Sequence, residues 1–208
     1  MSERELPLFP LNLVLFPGMR LPLHIFEERY KLMIGTCMVT DQTFGVSLIQ
    51  SGEEVGEPAE VYLVGTTAKI VELERLPEGR MNLLTVGVDR FRLLERIGDQ
   101  AYAVGRVELL PDPADEPVSG LAERAAQQFR RYLAGKGVPG EQAQSLTLPD
   151  EAPALSYLIA ATLKAPTRQR QQLLEDDSVV SRLRRELAIM EWELGGPAEP
   201  NARSFSTN

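Results

Sequence analysis

The hydrophobic pattern changes its period once along the chain, near residues 111–117, and this change limits the fold more than any other feature. These seven positions hold three prolines and three acidic residues, a composition typical of a linker or a sharp junction. Before them apolar residues alternate as in strands, and after them they recur at helical spacing. We therefore predict a β-barrel part at 1–113, a helical bundle at 114–196 and a disordered polar tail at 197–208.

In the first part, segments 44–50, 60–76, 81–96 and 101–110 predict strands. Their alternation switches phase near Gly65, Gly87 and Gly105, which is typical of β-bulges and strand bends. Long bent strands with short turns predict a small, strongly coiled barrel. One helix is predicted from Glu27 to about Thr40, with Cys37 on its core face.

The first 25 residues are apolar but contain four prolines. Because proline lacks the amide donor that a central strand needs, we expect this segment to be extended and irregular, at sheet edges or bulges, with its leucines buried.

The second part predicts four helices and a loop at 135–150. The apolar stripes of these helices run over 118–133, 155–163, 173–174 and 183–194. Thr167 is expected to cap the third helix, and Asp177 or Ser178 the last.

Side chains suited to catalysis are scarce. His24 and Cys37 are the only histidine and cysteine, and we expect both to be packing residues, since a thiol in apolar surroundings is inert. The segment Gly135-Lys136-Gly137 lacks the Ser or Thr of a phosphate-binding loop, and one His with one Cys is too few for a zinc site. We expect no catalytic residue, metal or cofactor.

Two alternatives from different functional classes stay open. An enzyme could use an acid/base pair such as Glu27-Glu28 or Glu53-Glu54. A nucleic-acid-binding protein would need a basic surface, whereas the net charge is −8 and both halves are acidic. The densest basic cluster is Arg182-Leu183-Arg184-Arg185, so we expect no nucleic-acid partner. The single cysteine, the N-terminus without a signal peptide and the short apolar runs predict a cytoplasmic protein that does not enter a membrane.

The N-terminal segments 6–11, 14–18 and 21–30 closely resemble the start of the Lon protease N-terminal (substrate-binding) domain family. The resemblance continues through 44–46, 64–66, 79–82 and 86–91, and it reaches the helical half at 157–160 and 171–175. It implies an α+β fold: an N-terminal PUA-like β pseudo-barrel with one helix, then a C-terminal α-helical bundle. Because the family's ATPase and protease modules have no counterpart in this sequence, the resemblance implies a free-standing, non-enzymatic protein-binding module.

The same resemblance implies that the partners are unfolded or damaged protein segments, with a protease or a chaperone as a further partner, in an adaptor or holdase role. PUA-like barrels of other families bind RNA, and this is the basis of the nucleic-acid-binding alternative. We expect clients to bind near the extended segment 16–23 and the start of the following helix, since excess apolar side chains and flanking charges are typical of interaction sites. The expected binding residues are Phe16, Met19, Leu21, Glu27, Glu28 and Arg29. The competing interpretation is that the apolar ones fill the barrel.

Overall fold

The structure is a computed structural model that describes residues 3–52, 60–97, 101–112 and 118–195. The strands are β1 (Glu3–Leu11), β2 (Arg20–Ile25), β3 (Thr43–Ser51), β4 (Glu60–Val61), β5 (Val64–Arg75), β6 (Met81–Ile97) and β7 (Val104–Leu110). The helices are α1 (Glu28–Met38), α2 (Ser119–Gly135), α3 (Gly140–Ser145), α4 (Ala152–Thr162), α5 (Thr167–Glu175) and α6 (Val179–Glu193). A mostly antiparallel sheet with these helices confirms the predicted α+β class.

The chain forms two compact units. The first comprises Met1–Pro111 and Thr167–Glu175, and the second comprises Asp112–Pro166 and Asp176–Asn208. Helix α5 therefore belongs to the first unit although its neighbours in sequence belong to the second. The predicted domain boundaries after residues 113 and 196 stay predictions, and the predicted tail at 197–208 lies outside the described residues.

In the first unit the sheet closes on itself. The strands follow the order β1-β7-β6-β5-β3, and β1 pairs again with β3, in parallel. Strand β2 pairs with β6, and β4 pairs with β3. Register shifts interrupt β5–β6 at two places and β6–β7 at one. These shifts explain the phase switches in the sequence, because an extra residue moves the following side chains to the other face.

The proline-bearing β1 is a regular nine-residue strand of the barrel wall and not an irregular segment, but each part of it pairs on one side only, which fits the edge position expected for its prolines. It pairs with β7 over Glu3–Pro7 and with β3 over Leu8–Leu11. The Leu8 amide donates to the carbonyl of Ala103, on the β7 side (2.8 Å). Because amides alternate along a strand, the nitrogen of Pro10 also faces the β7 side and that of Pro7 the β3 side. Each proline therefore turns its nitrogen away from the strand that it pairs with, and no ladder bond is lost.

The barrel interior is filled by side chains from every wall and from α1. Helix α1 directs Tyr30, Met33, Ile34 and Cys37 inward, where all four are buried, as its apolar spacing predicts. Two glycines permit close approach of the walls. A Cβ atom on Gly87 would collide with the carbonyl oxygen of Phe16, and one on Gly65 with that of Val46, so neither position accepts a side chain without a backbone shift.

Helix α5 is held to the barrel by polar contacts from buried side chains. The Gln171 amide donates to the carbonyl of Val64 (2.9 Å). Arg90, which is buried on β6, donates to the carbonyl of Leu174 in the last turn of α5 (3.0 Å). Carbonyls in a helix's last turn lack intrahelical donors and carry the negative end of the helix dipole. The buried Arg90 guanidinium therefore gives the Leu174 carbonyl a hydrogen-bond donor and places a positive charge at the negative end of the helix dipole.

The second unit is built from α2, α4 and α6, with the short α3 packed on α2. Helix α3 occupies part of the expected loop at 135–150, so that expectation is wrong there. Ser178 caps α6 by accepting from the amide of Ser181 (3.1 Å), as predicted. Thr167 does not cap α5, because the helix begins at Thr167 itself and no side-chain bond is present at its N-terminus.

Candidate protein-binding surface

A solvent-facing sheet surface of the first unit is formed where β2, β6 and β5 run side by side. Their registers align three rows of outward residues: Arg20, Val86 and Lys69; Pro22, Leu84 and Glu72; His24, Asn82 and Glu74. We call these nine residues the β2 face. The intervening side chains of Leu21 and Ile25 point into the core, because successive residues of a strand face opposite sides.

One end of the β2 face is organised by a hydrogen-bonded chain across three strands. The Asn82 amide nitrogen donates to Glu74 Oε2 (2.9 Å), and its oxygen lies 2.8 Å from His24 Nδ1. Since that amide oxygen can only accept, His24 Nδ1 carries the proton that is shared with it. This relay fixes the imidazole ring, which lies beside the ring of Phe26 at a centroid distance of 6.2 Å.

Phe26 supplies the largest exposed apolar side chain next to the β2 face. It follows β2 directly and is 54% exposed, although a benzyl side chain is costly to leave in water. Val71, at the β5 bulge, is also half exposed. In the middle row of the face, Pro22 and the half-buried Leu84 are also apolar. The arrangement is an apolar strip with charged residues at its margins.

The sequence-predicted binding residues divide into two groups. Phe16 and Leu21 are core side chains, so a client cannot reach them in the folded barrel. This burial corrects the expectation of a continuous apolar surface over 16–23. Met19 is partly buried and packs against the barrel core.

The three charged residues at the start of α1 lie closer to solvent. Glu27 accepts from Arg29 Nε (3.0 Å), and the Arg29 guanidinium lies 4.5 Å from the centroid of the Tyr30 ring. Glu28 is exposed and pairs with Lys31 (2.7 Å). The ion pairs favour a structural role at the helix start, and a binding role for Met19, Glu27, Glu28 and Arg29 stays a prediction.

Sequence reasoning missed the residues that do form the exposed surface, above all Pro22, His24 and Phe26. His24 is exposed, so its expected packing role is wrong. The signal was present in the alternation Arg20-Leu21-Pro22-Leu23-His24-Ile25, where odd-numbered residues are apolar. Reading that alternation as a half-buried strand places Pro22 and His24 on the solvent side.

Cys37 is an unsuitable nucleophile. The side chain is fully buried, and burial, with a smaller contribution from the charge of Asp41, raises the pKa of its thiol from 9.0 to about 11. A thiol with such a pKa is almost entirely protonated near neutral pH, and only the thiolate is reactive. The part of the chain that the structure describes also contains no group of three or more His, Cys, Asp or Glu side chains placed to hold a metal ion.

The basic cluster at 182–185 is not a surface patch. Arg182 is fully buried, where its guanidinium donates to Asp112 (3.0 Å) and to the carbonyl of Asp176 (2.8 Å). Arg185 pairs with the carboxylate of Asp176 (3.5 Å). Because Arg182 is buried and Arg185 is paired, the cluster does not offer a phosphate backbone the exposed basic surface that nucleic-acid binding requires. Within the described ranges, no helix is long and apolar enough to cross a membrane.

Most of the chain matches one known protein family. Residues 5–191 match the model of the ATP-dependent protease La (LON) substrate-binding domain family. The chain belongs to that family. A Lon protease of Roseiflexus castenholzii is 32% identical over 192 residues, which cover 90% of this chain and 24% of the protease. A Lon protease of Halothermothrix orenii is 29% identical over 197 residues, which cover 91% of this chain and 25% of the protease. The chain thus spans about a quarter of the length of these relatives.

Solved structures agree with the family assignment. A Lon N-terminal domain protein from Xanthomonas campestris is 30% identical, with a TM-score of 0.68, and the match covers 89% of this chain and 98% of that one. The N-terminal domain of the Mycobacterium avium complex Lon protease shares the fold, with a TM-score of 0.70 at 18% identity. These matches confirm the predicted resemblance and its fold.

Proposed function

We propose that this chain binds exposed apolar segments of unfolded or damaged proteins through the β2 face and the adjoining Phe26, as an adaptor or holdase without catalysis of its own. The observation that carries the proposal is the half-exposed Phe26 ring beside a solvent-facing sheet strip with charged margins. Contiguous apolar surface rimmed by polar groups is typical of sites that bind other proteins.

The family supports the same reading. The matched family is the substrate-binding domain of an ATP-dependent protease. This supports recognition of protein substrates as the role of this chain. A protease or a chaperone that receives the bound client is the corresponding second partner. RNA binding is not proposed, because the densest basic cluster includes the fully buried Arg182.

The test uses a client that cannot refold, such as reduced and carboxymethylated α-lactalbumin carrying a fluorophore, and fluorescence anisotropy as the readout. We expect the parent protein to bind this client and not native α-lactalbumin with intact disulfides. Phe26→Ser should weaken binding about tenfold or more, since burying a phenyl group on binding is worth about 1.5–3 kcal/mol.

A matched control is available in the same unit. Leu63 is 59% exposed but lies at the opposite end of β5, where its carbonyl accepts from the amide of Leu93 (2.7 Å). Leu63→Ser removes a similar amount of exposed apolar surface and should leave the affinity within about twofold of the parent. Equal weakening by both substitutions, or no binding by the parent, would contradict the proposal.

A further inference from the structure

Strand β2 is bonded to the sheet along one side only. Its described partner is β6, and the sheet order places it off the closed ring. The amide of Gly87 donates to the carbonyl of Met19 (2.9 Å), and the register continues from this pair to Leu21–Thr85, Leu23–Leu83 and Ile25–Met81. Since backbone groups alternate in direction along an antiparallel strand, the groups of Arg20, Pro22 and His24 point away from β6.

The outer edge of β2 therefore presents five backbone groups in one row. They are the amides of Arg20 and His24 and the carbonyls of Arg20, Pro22 and His24. Among the described residues no backbone bond to these groups is found outside the strand's own pairing with β6. Such an edge is a template for another strand.

Pro22 limits what this edge accepts. It removes the central donor of the row, so a long, regular strand would lose a bond there, which is a known protection against uncontrolled edge pairing. A short segment still gains two donors and three acceptors over the six residues of β2, or about 20 Å of strand at about 3.3 Å per residue.

The backbone geometry favours one direction of the added segment. Antiparallel ladders are slightly more stable per residue than parallel ladders, and the outward groups of Arg20, Pro22 and His24 alternate as an antiparallel partner requires.

We infer that clients bind by strand addition: an extended segment of about five or six residues, with apolar side chains at alternate positions, pairs antiparallel with the free edge of β2. This inference rests on the proposed function and adds how the backbone of the client is recognised. Alternate client residues face Arg20, Pro22 and His24, and their side chains lie on the same side of the sheet as Phe26 and Leu84.

The probe is a nine-residue peptide that begins with lysine for solubility, alternates valine with threonine and carries fluorescein at its C-terminus. Two further peptides bear N-methyl groups on every valine or on every threonine. When a valine lies opposite Pro22, the valine amides of the peptide donate to the outward carbonyls of β2. The threonine amides then face away from β2. We expect valine methylation to weaken binding about tenfold or more, since three hydrogen bonds are lost. Threonine methylation should change binding less than about twofold.

A pair of protein variants tests the same bonds from the other side. His24→Ala and His24→Pro both remove the imidazole and its bond to Asn82, but only the second removes the outward amide. Proline is tolerated at an edge position where the amide faces solvent, and thermal melts of the two variants verify folding. We expect His24→Pro to bind the peptide about threefold to tenfold more weakly than His24→Ala.

The outcomes separate this inference from the proposed function. Equal binding of the two methylated peptides to the parent protein would overturn strand addition, even if His24→Pro failed to fold. So would a parent protein that binds carboxymethylated α-lactalbumin but not the peptide. Binding through the Phe26 surface would stand in both cases. Failure to bind that unfolded client at all would overturn the proposed function instead.

Discussion

Replacing Glu186 by glutamine probes a buried carboxyl group in the second unit. Glu186 lies on α6 and is fully buried. Its Oε1 accepts from the hydroxyl of Ser156 (2.8 Å), and its Oε2 has no hydrogen-bond partner in the described chain. Arg182, one helical turn earlier, directs its guanidinium to Asp112 and Asp176 and only partly offsets the cost of desolvation. Burial therefore raises the pKa of Glu186 from 4.5 to about 8.

This raised pKa makes stability depend on pH. Between about pH 4.5 and 8 the folded protein keeps a proton that the unfolded chain releases, so the free energy of unfolding falls as the pH rises and levels off above about pH 8. The difference between about 8 and 4.5, at about 1.4 kcal/mol for each pH unit, gives a fall of roughly 5 kcal/mol from this group. Glu186→Gln keeps the shape and the bond to Ser156 but cannot ionise, so it should lack this part of the slope.

The assay is urea unfolding followed by far-UV circular dichroism at about pH 5, 7 and 9. We expect the parent and Glu186→Gln to be similarly stable at about pH 5 and the variant to be more stable by several kcal/mol at about pH 9. Glu191→Gln is the control, because Glu191 is exposed on the same helix and should show no comparable trend. A difference between the parent and Glu186→Gln that stays constant across the three pH values would refute the reasoning, since Glu186 would then be ionised in the folded protein.

Four further predictions concern single residues or the whole chain. Arg90→Met should lower the free energy of unfolding by about 2–4 kcal/mol, because the carbonyl of Leu174 loses its buried donor; an unchanged urea midpoint would contradict this. Cys37 should react with a thiol reagent only as fast as the protein opens, and Cys37→Ala should cost about 1–3 kcal/mol in a thermal melt; rapid labelling of the folded protein would show that the thiol is accessible. Met19→Asp should lower the melting temperature, because it places a carboxylate against the barrel core, whereas a stable variant with weakened client binding would assign Met19 to the binding surface. The purified chain should hydrolyse neither ATP nor casein, since its sequence has neither a phosphate-binding loop nor a counterpart of the family's protease module; turnover that is lost on a point mutation in this chain would show otherwise.

Local pattern predicted the elements well where each element buries one of its own faces. Helix α1 and the burial of Cys37 follow from apolar residues three to four positions apart. The cap at Ser178 follows from a serine before a helical stripe. The bent strands were visible as changes of alternation, because a bulge alters the local facing of side chains whatever its neighbours are.

Features that depend on distant partners were not predictable in this way. The sequence alone did not assign Arg90 and Arg182 to the interior, because a buried guanidinium needs acceptors placed by other elements, here Leu174 and Asp112. In the sequence, Arg182 is one of three arginines in a basic cluster, and only the fold shows that its side chain is buried. Helix α5 looked like one more member of the bundle, since nothing in its own stripe indicates that Gln171 bonds to β5.

The sequence by itself determined the α+β class, the change from strands to helices, the family and the scarcity of catalytic groups, because these depend on local periodicity, residue types and motif order. Only the tertiary structure decided which apolar residues are accessible. It placed Phe16 inside and left Phe26 half exposed. The free edge of β2 agrees with the edge position expected from the prolines of the first 25 residues, but which side of β2 stays unbonded follows only from its pairing with β6 across the chain.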